Sequence, residues 1–596
     1  MVREWRVRES GTTTSIGLLG SSDSGFEERI NELQKDTGLS RLTLRVCLLR
    51  GLESDSAIRE FLSPKLESLT DPFCVKDMEA AVARLVQVRE RGERFRVFGD
   101  YDVDGTTGAA LLSWVFKDFG YATDRLSVRQ PDRFKDGYGL NAQAVTDAHA
   151  DGVQLLITVD CGITSFDASE RARELGVELI VIDHHQVDPV KGIPYAVAVV
   201  NPQRTDCPSQ LRQLCGCGLA FYVARALRTR GKALGWWEPG REPNLKQHLD
   251  LVVMATAADM VPLIGDNHIL VRHGLEILKF TRKPGIRALL EAAGLTQREI
   301  SPSHLGFAIG PRINASGRMA SATLALELLT TSDPVAGSAM AKQLEALNKE
   351  RAEIQNAIWD QVRGRVEKGI ADGKHQHGVV VADPGWHEGV VGIVASRVTE
   401  TFQRPAAVIA LREDFGKGSV RSYAGKDVLA ALRACAPHLL GFGGHKHAAG
   451  LSVALDGVEA FAEAFDQALG QLTEDAHARP LYIEGTCSVD DLNVRTVQEL
   501  EYLGPFGPGN PEPVFALKAA VKNQRVLKGR HLKLNLSPVG ADPASIEAIW
   551  FNGAEREDAT PGALSSEAEW AGVPELNRYN GRVTPTLRVK DFRKPL

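Results

Sequence analysis

Short apolar runs alternate with amphipathic stretches through the first half of the chain. FRVFGD, VQLLITVD, VELIVID and YAVAVVN fall between residues 95 and 201, separated by segments such as FDASERARELG. A strand with no polar alternation is one buried on both faces, and helices between such strands predict parallel pairing through crossover connections. Residues 25–95 carry helical patterning broken at Ser63-Pro64 and Asp71-Pro72. From Ala336 to Glu367, Met340, Leu344, Leu347, Ile354, Ile358 and Val362 recur at helical spacing among charges, which predicts one long helix bridging two lobes. Strand and helix signals return from His377 to about Gly470. From about Leu481, short alternating strands (YIEGTCSV, RVLKGRHLKLNL, SIEAIWF, TPTLRVKDF) predict a small β-barrel.

At 596 residues the chain exceeds what one core supports. The expected division is a helical segment over 1–80, an α/β unit with a mostly parallel sheet over 81–332, the long helix over 333–372, a smaller α/β unit over 373–475 and an OB-like β unit over 480–596. Composition changes this picture little: 43% hydrophobic and 24% charged residues are ordinary globular values. No stretch reads as a signal peptide or a spanning helix, because LVVMATAADMVPL is interrupted by Asp259. Eight cysteines without a CxxC pair argue against a disulfide framework and a zinc ribbon, and the CxC of Cys215 and Cys217 reads as fortuitous. The net charge of −6 does not announce a nucleic-acid binder, so charge has to be read locally. From Lys518 to Lys533, KAAVKNQRVLKGRHLK has six basic residues and no acid, and it runs into alternating Leu532, Leu534 and Leu536. That is a strand with one apolar and one cationic face, either solvated or bound to a polyanion.

Candidate chemistry gathers where the apolar runs stop, which is where open α/β sheets place their sites. RVFGDYDVDG puts Asp100, Asp102 and Asp104 at alternating positions, and residues two apart on an extended chain share a face. Asp160 follows LLITV, Asp183, His184 and His185 follow LIVI, and Asp259 follows VVMATAA. Like charges so close repel unless a cation lies between them. Carboxylates plus imidazole suit Mn²⁺ or Mg²⁺, and so many candidates suit two ions, the arrangement that activates water in phosphoryl hydrolysis. For any one of these aspartates alone, a turn or helix cap is the commoner role.

DYDVDG, ITVDCG, IDHH and ATAADMVPL, in that order, resemble the four motifs of the DHH phosphoesterase superfamily. PDRFKDGYGLN, IGPRINASGRM, GWHEGVVGIVASRV, GSVRS, GFGGHKHAAG and LGPFGPGNPEPVF are similar to stretches of its RecJ family, bacterial 5′ exonucleases specific for single strands. The resemblance implies a DHH domain joined by the long helix to a DHH-associated domain, followed by an OB-like single-strand-binding barrel. It implies two Mn²⁺ or Mg²⁺ ions on positions matching Asp102, Asp104, Asp160, His184 and Asp259, with Asp160 bridging. Phe98 stands where smaller members carry a histidine, which makes Asp100 the substitute ligand. Asp183 is expected to orient the histidines, and His185 to contact the scissile phosphate alongside the catalytic Asp160 and His184.

Substrate contacts are expected from Arg312, Asn314, Arg318, Arg421 and Ser422, and from Gly443, Gly444 and His445 as an anion cradle, since consecutive glycines let backbone N–H groups approach a phosphate. Lys528, Arg530 and Lys533 are expected to grip the DNA strand, while for Phe506, Phe515 and Trp550 core packing is the expected role and base stacking the alternative. The implied activity is 5′ to 3′ hydrolysis of single-stranded DNA to 5′-mononucleotides in DNA repair and recombination. A single-strand-binding protein and a RecQ-like helicase are the implied partners, no membrane is involved, and the implied location is the bacterial cytosol. The alternatives are a phosphodiesterase for short oligoribonucleotides or cyclic dinucleotides, which usually lacks such a barrel, and a non-catalytic DNA-binding scaffold, which the intact ligand set disfavours.

Overall fold

A computed structural model describes residues 4–8, 24–133, 135–296, 299–472, 480–538, 545–556 and 567–593. The apolar runs form a five-stranded, wholly parallel sheet in the order Leu126–Arg129, Phe95–Gly99, Leu155–Val159, Glu178–Ile182, Ala198–Val200. Every residue of Phe95–Gly99 and Leu155–Val159 is buried, which is why these strands read as continuous apolar runs. Helices Met78–Arg91, Val103–Asp118 and Gly216–Ala233 supply one core, and Ala142–Ala150 and Phe166–Leu175 pack on the opposite face. The strands all point one way, so Asp100, Asp160 and Asp183 emerge along a single edge.

The long helix runs from Pro334 to Ala371, capped by Asp333, whose side chain accepts from the Val335 amide at 2.8 Å. Its first half buries Ala341 and Leu344 in the core of the parallel sheet, and its second half buries Ile358, Trp359, Val362 and Val366 against the next domain. It thus spans two cores, as its stripe predicts. That next domain is a mixed five-stranded sheet in the order Gly441–His445, Ala448–Ala454, Phe415–Arg421, Ala406–Leu411, Val379–Asp383. The C-terminal unit is a closed β-barrel, because Phe515–Leu527 pairs with both His531–Ser537 and Ala568–Tyr579.

The amino-terminal residues divide between two cores. Ile30, Leu33, Leu44, Val46 and Ile58 pack with Leu500, Phe515 and Leu536 of the barrel, whereas Leu69, Val75 and Met78 join the parallel-sheet domain. Strand Trp5–Val7 pairs in parallel with Leu481–Ile483, and Trp5 Nε1 donates to Asp591 at 2.8 Å. Helical periodicity shows that such a segment needs an apolar partner but not which one, so its docking on a domain more than 400 residues distant in sequence was outside the reach of pattern. Among the described residues no helix is long and apolar enough to cross a membrane.

Candidate metal centre and the cationic cleft beside it

The motif DYDVDG is not extended as alternation suggests. The strand stops at Gly99, Asp102 caps the helix Val103–Asp118, and Asp104 already lies in its first turn. Asp102 Oδ1 accepts from the amides of Asp104 at 2.9 Å and Gly105 at 3.2 Å, so the capping role and a place in the acidic cluster coincide in one residue. The helix turns back so tightly that a Cβ on Gly105 would lie 2.4 Å from the Asp100 nitrogen, which requires glycine there. Asp104 is gripped by the start of another helix: the amides of Gly216 and Cys217 donate to its two oxygens at 2.6 and 2.8 Å. The segment around the CxC thus contributes through its backbone and not through its thiols. A Cβ on Gly216 would fall 2.8 Å from that of Asp160. Asp160 ends its strand with φ of 62°, a left-handed turn that aspartate tolerates.

His184 Nε2 lies 3.1 Å from Asp160 Oδ1 and 3.7 Å from Asp104 Oδ2 and from Asp259 Oδ2. Three overlapping groups have ligand atoms within 4.8 Å of one another: Asp160, His184 and His185; Asp104, His184 and Asp259; Asp100, Asp102 and Asp160. Asp160 and His184 each belong to two of these groups. Asp183 stands behind them. Its Oδ1 accepts from His185 Nδ1 at 2.8 Å and from the amides of His184 and His185, while Oδ2 accepts from the Ile163 amide at 3.0 Å. This carboxylate orients the His185 ring directly and His184 through the backbone.

Burial, then the neighbouring Asp102 charge, pushes the Asp100 carboxyl up to about 8. Asp259 is also pushed up to about 8, by burial and then by Asp104 and Asp102, and burial raises Asp104 and Asp160 as well. Burial lowers His184, which leaves its ring neutral. For His185 burial acts downward, but the hydrogen bond to Asp183 and the surrounding carboxylates outweigh it and lift the imidazole to about 9.

These residues fit divalent cations. Among the described residues no lysine or arginine pairs with any of the five aspartates, and the buried Asp100 Oδ1 and Asp259 Oδ2 have no hydrogen-bond partner. Two unit charges about 4 Å apart repel by roughly 4 kcal/mol at an effective dielectric of 20. A site that gathers five such groups with no lysine or arginine among them is built for charge brought from outside, and its oxygen and imidazole donors suit Mn²⁺ or Mg²⁺.

Beside the acidic cluster stands the opposite pattern. Arg133, Arg318, Arg351 and Arg421 come from four separate segments, and among the described residues none forms an ion pair with a carboxylate. Burial, and then Arg133, Arg351 and Arg421, lowers Arg318 to about 10. Arg421 Nη1 donates to Ser419 Oγ at 2.7 Å, and Arg318 Nη1 to the Gly389 carbonyl at 3.0 Å. Arg351, on the long helix, is held along it by Asn348 and Gln355. Arg133 lies 5.1 Å above the ring of Tyr101, the residue between Asp100 and Asp102, so the cationic and acidic groups adjoin. Tyr138, from the same loop as Arg133, donates its hydroxyl to the Asp160 carbonyl at 3.1 Å and stands 3.4 Å from the His185 ring nitrogens.

Arg312 faces the long helix, donating to Glu345 at 2.6 Å and to the Ala308 carbonyl at 2.7 Å, and Asn314 is half-buried on the same helix. Ser422 spends its hydroxyl on the Lys426 carbonyl, so the hydroxyl beside Arg421 is that of Ser419. Gly443, Gly444 and His445 form no glycine loop but the exposed outer strand Gly441–His445, whose final residue aligns through Ala448 with Arg421. It is the edge strand of its sheet, and among the described residues no strand pairs with its outward side. Lys528 and Arg530 sit on the turn before His531–Ser537, whereas Lys533 pairs with Glu547 at 2.7 Å. Phe515 and Trp550 are buried in the barrel core and Phe506 is half-buried against it. The exposed aromatic near that turn is Phe551, edge-on to His531 at 5.3 Å.

Sequence reasoning missed Arg133, Tyr138, Arg351, Ser419, Phe551 and the Gly216 and Cys217 amides. PDRFKDGYGLN and GSVRS contain three of these; nothing local marks Arg351.

Comparison with known proteins gives this geometry its relatives. Residues 94–256 match the model of the DHH family N-terminal domain, 375–471 that of the DHHA1 domain, and 483–591 that of the RecJ OB domain. The single-stranded-DNA-specific exonuclease RecJ of Dickeya dadantii is 36% identical over 557 residues, covering 91% of this chain and 95% of that protein. The Escherichia coli protein of the same name is 36% identical over 517 residues, covering 85% and 89%. The crystal structure of Thermus thermophilus RecJ in complex with Mn²⁺ matches with a TM-score of 0.80 at 30% identity, covering 100% of this chain and 80% of that one, and its Mg²⁺ complex matches with 0.73 at 28%, covering 100% and 79%. With its DHH, DHHA1 and RecJ OB domains matched in order and relatives 36% identical over most of its length, this chain belongs to the RecJ family of DHH phosphoesterases.

Proposed function

We propose that this chain is a divalent-metal-dependent exonuclease that hydrolyses single-stranded DNA from the 5′ end to 5′-mononucleotides, serving DNA repair and recombination. The observation that carries this reading is the adjacency of an acid cluster that no described lysine or arginine neutralises to an arginine cluster that, among the described residues, forms no ion pair with a carboxylate, joined through Tyr101 and Arg133.

Asp100, Asp102, Asp104, Asp160, His184 and Asp259 would hold two Mn²⁺ or Mg²⁺ ions. When bound, such ions lower the pKa of water towards neutrality and offset charge on phosphoryl oxygens. The protein's own groups do the rest. Arg133, Arg318, Arg351 and Arg421, with Ser419, seat backbone phosphate through forked, charge-assisted hydrogen bonds. The outer strand ending at His445 extends that seat with the backbone amides of its outward side. His185, kept protonated by Asp183, donates to the scissile phosphate, and the Asp183 hydrogen bond fixes Nδ1 so that Nε2 faces the substrate. Lys528, Arg530 and Phe551 hold the strand further along, by charge and stacking. The barrel favours long strands over cyclic dinucleotides. A single-strand-binding protein and a RecQ-like helicase are the partners, and the bacterial cytosol the location, that family membership suggests.

A nuclease assay comparing 5′-labelled and 3′-labelled strands, single and duplex, across metals tests this reading. Release of labelled mononucleotide from the 5′ end of single strands with Mn²⁺ or Mg²⁺ is expected; attack from the 3′ end, or undiminished activity in EDTA, would refute it.

A further inference from the structure

We propose that Gln130 is a positioning residue for the metal cradle, acting through the backbone of Asp100. Gln130 follows the edge strand Leu126–Arg129 and lies outside every metal or phosphate contact assigned above. Its Nε2 donates to the Asp100 carbonyl and to Thr106 Oγ1, each at 2.7 Å. Asp100 and Thr106 flank the turn that carries Asp102 and Asp104, so one carboxamide ties the strand side of that turn to its helix side. On the other side of Asp100, its amide donates to the Val159 carbonyl at 3.2 Å, and the Thr106 amide donates to the Asp102 carbonyl at 2.9 Å. The peptide of Asp100 is thereby held from both neighbouring strands.

This grip matters more for Asp100 than for its neighbours. Asp104 has both carboxylate oxygens fixed by the Gly216 and Cys217 amides, and Asp102 has one fixed by its own cap. Asp100 Oδ1 is buried with no partner, and its carboxyl is otherwise steered by the backbone N–H groups of Tyr101 and Gly139, so its direction depends on how the backbone of this turn is held. Partners behind a ligand set its orientation, and removing one typically weakens metal binding about 10- to 100-fold. Gln130 is such a partner, one bond network removed from the ion.

The inference rests on the metal-dependent reading above and is tested on the full chain by Mn²⁺ titration, following the free-ion signal by electron paramagnetic resonance. Gln130→Met keeps length and flexibility but removes the donor. It is expected to weaken binding of one Mn²⁺ about tenfold, to leave the KM for DNA unchanged, and to recover turnover in excess Mn²⁺. Unaltered Mn²⁺ binding in the folded variant overturns the inference, as does a fall in turnover that excess Mn²⁺ does not restore. If Gln130→Met does not fold, Thr106→Val removes the second hydrogen bond alone: a smaller weakening in the same direction supports the role, and none overturns it. Failure of the unaltered chain to bind Mn²⁺ would instead sink the metal-dependent reading itself.

Discussion

The two sides of the cleft are built from opposite charges and by opposite kinds of sequence. The acidic side takes its residues from short motifs at the ends of buried elements, where DYDVDG, ITVDCG and IDHH each present ligands within a few residues. The cationic side takes one arginine each from a loop, a short helix, the long helix and a strand. Each is locally ordinary, one of 70 basic residues. Metal ligands must converge within a few ångströms, and strand ends in a parallel sheet achieve that with little extra structure. Phosphate contacts follow an extended polymer, so their residues come from whichever elements border its path.

Removing a member of the acidic side should have the largest effect. Asp160→Ala is expected to cut turnover on the order of a thousandfold, since it takes away a group shared by two clusters. A steady-state assay at saturating DNA checks this, and activity within tenfold of the unaltered enzyme would remove Asp160 from the centre. On the cationic side, Arg421→Met is expected to raise KM roughly 10- to 100-fold with kcat changed far less, because one charge-assisted hydrogen bond to phosphate is removed. The slope of log binding against log salt should become shallower by about 0.7 for each single-strand phosphate that the variant no longer neutralises. A drop in kcat with KM unmoved would instead place Arg421 in the chemical step.

The sides should also differ in their response to pH without metal. Asp100 and Asp259, at about 8, and His185, at about 9, all titrate above their usual values, so the folded chain binds more protons than the unfolded one between the ordinary and the raised pKa. Their stabilising contribution is present at low pH and is lost as pH rises through 8 to 9. In EDTA the melting temperature should therefore fall by a few degrees between pH 6 and 9, and Mn²⁺ should stabilise more at the higher pH. A flat profile in thermal scans would show that these carboxyls are not raised. The smallest effect is expected at Arg312: because it pairs with Glu345, Arg312→Met should leave KM and kcat within about twofold and cost about 1 kcal/mol of stability by denaturant unfolding.

The barrel repeats the lesson on a smaller scale. Alternation in RVLKGRHLKLNL gives the strand and its buried leucines, yet Lys533 is neutralised by Glu547 from the next strand, and Trp550 points inward while Phe551 points out. A one-residue difference in facing decides which aromatic can meet a base.

Hydrophobic period and the residues after each apolar run determined the parallel sheet, the long helix, the barrel and the acidic and histidine residues that gather at the strand ends, because each depends on spacing within a few residues. Only tertiary structure decided that Asp102 caps a helix while joining the acidic cluster, that Gly216 and Cys217 hold Asp104, that Arg312 pairs with Glu345 while Arg351 comes near Arg318, and that the amino-terminal helices complete the barrel core. Those outcomes are set by which surfaces bury each other across hundreds of residues, and a linear pattern records the need for a partner without naming it.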